Sequence, residues 1–344
     1  MEFLNNIFVY IAQWLRGFLA FLGVTETWVE LGMTVVYLVT ILGICTLVAL
    51  VYVLWERKLA GYIQYRPGPN RLGPKGWFQT IADAIKLLTK EDIVPKEADK
   101  VVHFLAPLFI FVPPVLALGV IPFGEGMAAI DLNLGVFYLL AVTSLSIVPI
   151  FMAGWGSNNK YSLIGTMRAV AQMVSYEVPL IFSMLGVVLL AGTLQLSEIV
   201  ESQSTVWYVF LQPVAFIIFL ICATAETNRA PFDLPEGESE LTAGIYTEYS
   251  GMKWALFFLA EYCNIFVVSA IGVTLFLGGW SGPFLPGWVW FILKTHLLFS
   301  FFIWIRWTFP RIRIDHLMSF SWKVLVPLSI ANIMVTSLIF YLVQ

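Results

Sequence analysis

Four glutamates stand within or at the edge of long apolar runs: Glu56, Glu177, Glu226 and Glu261. A charge in mid-bilayer costs roughly 2.5–3.5 kcal/mol or more, so an acid kept there usually faces a polar interior and has a task. The chemistry open to a lone carboxyl in such a place is the loading and release of a proton. Glu177 lies in RAVAQMVSYEVPL, two residues before Pro179, which has no N–H to give the Ser175 carbonyl. A released carbonyl beside a carboxylate is a place where water is expected. Glu261 is about two turns into its run, roughly 12 Å deep at 1.5 Å per residue, with Asn264 one turn further on the same face. For any one of these acids a structural contact between helices is an equal reading. Four on one half of the molecule favour a proton path.

A second concentration of acid lies outside the apolar runs. Residues 225–251, AETNRAPFDLPEGESELTAGIYTEYSG, hold six of the chain's 22 acids: Glu226, Asp233, Glu236, Glu238, Glu240 and Glu248. Arg229 and Lys253 are the bases nearest to them. The stretch reads as the mouth of the proton path, as an acidic face that docks a partner, or as both.

These acids need helices across a bilayer to hold them. Of 344 residues, 59% are hydrophobic and 12% charged, and the mean hydropathy is +0.85. Soluble domains carry about 25% charged residues. Apolar runs of about twenty residues are the mark of membrane-crossing helices. Eight occur, near 31–55, 101–121, 132–153, 162–190, 206–225, 254–278, 287–307 and 323–343. The expected fold is an all-α integral membrane bundle of about eight spans, forming a single domain. A further helix over 3–22, with Phe3, Ile7, Phe8, Ile11, Trp14, Leu15 and Phe18 at helical spacing, is expected on the membrane surface or against the bundle. It does not resemble a signal peptide, because Glu2 stands where a basic segment belongs. A net charge of −3 gives no reason to expect nucleic-acid binding.

Basic residues give the orientation. The loops at 56–100, 154–161, 226–253 and 308–322, with their helix ends, hold 17 of the 19 bases, all but Arg16 and Lys294. Such loops face the cytoplasm, which places both termini on the outer side. The acidic stretch then faces the cytoplasm.

The first of these loops contains RPGPNRLGP, a run of turn residues without a phosphate-binding GxxxxGK pattern. GWFQTIADAIKLLTKE follows, with Trp77, Ile81, Ala84, Ile85 and Leu88 on one face and Gln79, Asp83, Lys86 and Lys90 on the other. It is expected as an amphipathic helix that either anchors at the membrane surface or walls the mouth of a site for a lipid-like molecule. Arg168 and Gln172 are expected to pair with an acid from another helix, and Lys294 with a buried acid or, by snorkelling, with the interface. Cys45, Cys222 and Cys263 lie inside spans without metal-ligand spacing, so no metal is expected. His103 and His316 read as structural. No Ser-His-Asp set, HExxH or GxGxxG occurs, so any electrons must be carried by partners.

ERKLAGYIQYRPGPNRLGPKG, ADAIKLLTKE, GWGSNNKYSLIGTMRAVAQMVSYEVPL, AETNRAPFDLPEGESELTAGIYTEYSG, AEY and PRIRIDHLM resemble, over nearly the whole chain from about residue 31, the heel subunits of respiratory complex I. These occur in bacterial NADH–quinone oxidoreductase and, as counterparts, in the mitochondrial enzyme. The resemblance implies the membrane side of a quinone chamber completed by hydrophilic-arm subunits, and a chain of acids leading to antiporter-like subunits. It implies quinone (ubiquinone or menaquinone) as substrate, with FMN and iron–sulfur clusters on partners, in a bacterial inner membrane. It assigns the proton path to Glu56, Glu177, Glu226, Asp233, Glu236, Glu238, Glu240 and Glu261, with Arg57, Asp83 and Arg229 beside them; Lys86, Arg168 and Gln172, read from their own positions, are the further supporting polar residues. Phe257, Phe258, Arg306 and Arg311 are candidate quinone neighbours, with packing and loop anchoring as the equal alternative, and Arg313 flanks the same mouth. The alternatives are the related subunit of a membrane-bound hydrogenase or deazaflavin-linked dehydrogenase, and a stand-alone ion transporter.

Overall fold

In lipid every backbone group must be satisfied within the protein, which leaves helices or closed barrels. The computed structural model describes residues 7–21 and 25–343, and no strand occurs among them. Helix α1 (Ile7–Phe21) lies against α2 (Glu26–Ile63). Arg16 reaches Glu30 at 3.7 Å, and Phe8 meets Trp288 edge-on at 5.7 Å, so α1 packs on the bundle. Residues 3–6 and 22 of the expected helix lie outside the described residues.

At 38 residues, α2 is about 57 Å long, nearly twice a hydrocarbon core of roughly 30 Å. Its C-terminal turns carry Glu56 and Arg57. The RPGP turn then folds back onto this helix end. A Cβ at Gly61 would sit 2.8 Å from the Arg66 carbonyl oxygen and 2.9 Å from the Gly68 nitrogen, so the close approach requires glycine. A 3₁₀ turn (Pro74–Gly76) leads into α3 (Gln79–Thr89), which keeps Ile81, Ile85 and Leu88 exposed, as an amphipathic surface helix should.

Several spans are assembled from pieces. Helices α4 (Lys100–Phe109) and α5 (Val112–Leu118) make one, and α6 (Gly135–Ser144) and α7 (Ile147–Gly156) another. Next come α8 (Lys160–Ala191), containing Pro179, and short α9 (Leu196–Ser202). The run at 206–225 is divided into α10 (Tyr208–Leu211) and α11 (Pro213–Glu226), with Gln212 at φ −131° and ψ 55° between them. Pro213 causes the break, because a proline disfavours the helical region for its predecessor. Seven helices among the described residues are therefore long and apolar enough to cross a membrane, with α11 as a shorter eighth apolar helix.

Helix α12 (Glu238–Leu241) is a single turn within the acidic stretch. Helix α13 (Gly251–Phe276) is the centre of the bundle: every residue from Ile265 to Phe276 is buried. A helix apolar all round belongs there. It is followed by α14 (Gly287–Thr308), α15 (Ile314–Phe320), a π-helical turn (Ser321–Leu325) and α16 (Val326–Val343), the last three forming one span.

Two expectations change here. Lys294 neither meets an acid nor reaches outward. Its ammonium donates to the carbonyls of Leu277 (2.7 Å), Gly279 (3.0 Å) and Ser281 (2.7 Å), and lies 4.5 Å from the Trp207 ring. It thus supplies donors to the chain leaving α13, whose terminal carbonyls lack helical partners. The Ser175 carbonyl released by Pro179 accepts the Ser321 hydroxyl at 2.6 Å, where water was expected. The cysteines are buried and free, and the Cys263 thiol donates to the Cys45 carbonyl at 3.3 Å.

Candidate functional site

Glu56 near the end of α2, Arg229 in the turn after α11, and Glu261 in α13 are far apart in sequence and meet in space. Arg229 Nη1 donates to Glu56 Oε2 at 2.5 Å, while its Nε lies 2.6 Å from Glu261 Oε1. Tyr262 Oη donates to Glu56 Oε2 at 2.8 Å, and the Arg229 guanidinium stacks 4.6 Å from the Tyr262 ring. Arg306 pairs with the other Glu56 oxygen. Glu56 and Arg229 are each 4% exposed. Two acids and two guanidinium groups balance, as a buried cluster requires. The flat, forked guanidinium lets Arg229 serve two carboxylates at once.

Two members of this cluster border a cavity of about 850 Å³. Glu56 and Tyr262 line it, together with apolar Leu50, Val53, Leu87 and Phe258 from α2, α3 and α13. Asp83 also lines it, held by Arg57 at 2.5 Å and by Gln79 at 3.3 Å. A mostly apolar cavity with a few polar groups among its walls suits a molecule with an apolar tail and a polar head. Phe258 faces this space, but Phe257 does not. One residue advances the helix by about 100°, which turns Phe257 into a separate core against Tyr246 and Tyr249, with 1% exposure. Of the two phenylalanines, only Phe258 is a wall of the cavity. Lys86 is exposed on α3.

The acidic stretch settles on α8 through glycine. At Gly244 (φ +50°) a Cβ would be 1.7 Å from the Pro235 carbonyl oxygen, and one at Gly165 would be 3.1 Å from Gly244 Cα. Asp233 accepts from Arg311 at 3.1 Å. Burial raises the Asp233 carboxyl above the ordinary carboxylate range, against the pull of Arg311 and Arg306. Glu240 is held below that range by its hydrogen bond with Arg168 at 2.5 Å. Arg168 thus meets an acid, as expected. Gln172 does not: it donates to the Ala225 carbonyl at 2.7 Å and to Asn228 Oδ1 at 3.3 Å, tying α8 to the end of α11. Glu248 accepts from Asn159 at 2.6 Å, and His103 stacks on Tyr249 at 4.2 Å. The side chain of Glu238 lies outside the described residues.

Sequence reasoning missed Tyr246. Its phenol lies in the field of Glu261, Glu236 and Asp233, and burial with these charges pushes its ionisation well up. A tyrosine inside the acidic stretch was the available signal.

Glu177 and Glu226 form a separate pair, each half-buried. The Ser144 hydroxyl donates to the Glu177 carboxylate. Glu226 is within electrostatic reach of Glu177, and its buried Oε2 has no hydrogen-bond partner among the described residues. The structure therefore brings together Glu56, Glu261, Arg229 and Arg306, and separately Glu177 with Glu226. Among the described residues no group of three or more His, Cys, Asp or Glu is placed to hold a metal.

The family model for NADH dehydrogenase matches residues 35–337. A protein of Carboxydothermus hydrogenoformans, named as a subunit of NADH-quinone oxidoreductase, is 50% identical over 342 residues, 98% of each chain. Proteins of the same name are 55% identical in Dehalococcoides mccartyi, strain CBDB1 (91% of this chain, 88% of that one), and 51% identical in Bacillus cytotoxicus (90% and 93%). The matched region runs from α2 into α16 and takes in every described residue of the buried cluster, the cavity and the acidic stretch. The chain is a multi-pass membrane protein of the NADH dehydrogenase family.

Proposed function

We propose that the chain is a membrane-arm subunit of a proton-pumping NADH–quinone oxidoreductase. It forms the membrane side of the quinone chamber and passes the charge change of quinone reduction to a line of buried acids. The observation that carries this is Arg229, shared by Glu56 and Glu261, with Glu56 itself lining the cavity. A quinone headgroup there faces a network whose charges balance only while Arg229 holds both acids. Reduction of a quinone takes two electrons and two protons. A negative charge developing at the cavity draws Arg229 or Arg306 toward it and loosens an acid, which then takes up a proton. Glu226 and Glu177, like charges within reach of each other, are the next members of the line.

This chain's own residues bind, orient and move protons. Electrons come from partners that carry FMN and iron–sulfur clusters. The basic loops at 56–100, 154–161, 226–253 and 308–322 face the cytoplasm, and the acidic stretch docks the hydrophilic subunits that complete the chamber. A native gel of mildly solubilised membranes, with the chain tagged and stained for NADH dehydrogenase, tests the assignment. Comigration of tag and stain in one large complex supports it. A large complex without NADH activity would transfer the chain to an enzyme with another electron donor. A chain that runs alone would overturn the assignment.

A further inference from the structure

A polar clasp beside Glu177 has no part in the acid line. Pro179 leaves the Ser175 carbonyl without its helical donor, and Ser321 supplies one from the far end of the chain at 2.6 Å. Trp322 Nε1 donates to Ser175 Oγ at 3.2 Å, and that hydroxyl in turn bonds the Ala171 carbonyl at 2.7 Å. In the opposite direction, Tyr176 Oη donates to the Leu317 carbonyl at 3.1 Å. A helical serine usually turns its hydroxyl back to its own i−4 carbonyl. For Ser321 that is Leu317, whose carbonyl takes the Tyr176 hydroxyl, while Ser321 reaches across. The two helices therefore exchange hydroxyl–carbonyl bonds around residues 175 and 176, immediately before Glu177.

Ser321 also opens the π-helical turn Ser321–Leu325. Such turns are rare and frequently mark functional sites. The same segment is tied to the acidic stretch. Ile312 N–H donates to the Pro231 carbonyl at 3.2 Å, Arg311 pairs with Asp233, and Phe232 packs on the Tyr176 ring at 5.4 Å. One continuous set of contacts thus runs from residues 231–233, through 311–322, to the turn of α8 that carries Glu177.

We propose that Ser321 is a positioning residue for Glu177. Its hydroxyl fixes the proline-released turn of α8, so that movement of the Arg311–Asp233 contact is delivered to the Glu177 carboxyl through the backbone. This route runs beside the acid line and rests on the reading that Glu177 takes part in coupling.

The test uses the assembled complex in liposomes, driven by NADH and quinone. Two readouts are taken: protons moved per electron, and the infrared carboxyl vibration that is lost in Glu177→Gln. In Ser321→Ala, quinone reduction is expected to stay within twofold of wild type, the Glu177 vibration to shift, and the proton ratio to fall at least twofold. Ser321→Thr, which keeps the hydroxyl, is expected to restore both. If Ser321→Ala does not assemble, Trp322→Phe removes the neighbouring bond and is expected to move both readouts in the same direction by less. An unshifted vibration in an assembled Ser321→Ala or Trp322→Phe complex overturns the proposal, as does failure of Ser321→Thr to restore it. The readouts separate the two claims. A full proton ratio in Glu177→Gln would overturn the coupling role of Glu177, and with it the delivery claimed for Ser321.

Discussion

Removing Arg229 should undo the centre of the molecule. Arg229→Met leaves Glu56, Glu261 and Arg306, a buried set with one uncompensated negative charge. The guanidinium that is lost is 4% exposed and lies 2.5 Å from one acid and 2.6 Å from the other. Deleting one partner of a buried pair costs about 3–5 kcal/mol. At about 1.36 kcal/mol per factor of ten, that is roughly two to four decades in the population of correctly packed chain. Arg229→Lys keeps the charge but loses the fork, and should fall between mutant and wild type. Adding Glu261→Gln to Arg229→Met restores balance, with Glu56 and Arg306 paired, and should recover most of the loss. The assay is the amount of chain in the intact complex on a native gel, with quinone-dependent NADH oxidation per complex. Wild-type assembly and activity in Arg229→Met would refute the claim that this side chain holds both acids. A double variant no better than the single would refute the charge argument specifically.

Other consequences follow from particular contacts. The Asp233 carboxyl is raised, so the folded loop favours its protonated form. Its penalty is fully present above the folded value and is relieved as pH falls through that value toward the ordinary carboxylate range, about 3.9. Hydrogen exchange over residues 231–246 should therefore show a gain in protection on acidification that is lost in Asp233→Asn. Phe257→Ala should cost about 3–5 kcal/mol, as for other buried aromatic truncations, and reduce assembled complex. Phe258→Ala should assemble and instead raise the KM for quinone, so steady-state kinetics on the two variants separates core from cavity wall. Lys294→Met leaves three carbonyls without their charged donor. Hydrogen bonds to charged groups are worth about 1.5–3 kcal/mol each, so the complex should melt earlier in detergent with electron transfer per complex unchanged.

The spans were legible because burial in lipid demands long apolar runs, and hydropathy reports those directly. The breaks inside them were not. Gln212, between α10 and α11, is framed by apolar residues, and its break comes from the proline after it. The junction between α6 and α7 lies just before Pro149, which has no N–H for the Leu145 carbonyl, but a proline in an apolar run does not by itself tell a break from a bend. At the site, residue type identified the acids, since a carboxylate in an apolar run is costly wherever it sits. Pairing was invisible: Glu56 and Arg229 are 173 residues apart, and no local pattern links them. The same blindness explains Lys294, whose partners are backbone carbonyls, and Ser321, whose partner is exposed by a proline on another helix. Phe257 and Phe258 could not be told apart from sequence, because the direction of the cavity is set by α2 and α3.

The central claim is that buried acids on this chain convert quinone reduction into proton movement. The most direct measurement is protons moved per electron by assembled complexes carrying Glu177→Gln or Glu261→Gln, in sealed vesicles with NADH and quinone. A reduced ratio, while electron transfer to quinone continues, is the expected result. Normal assembly with the full ratio in both variants would contradict the claim.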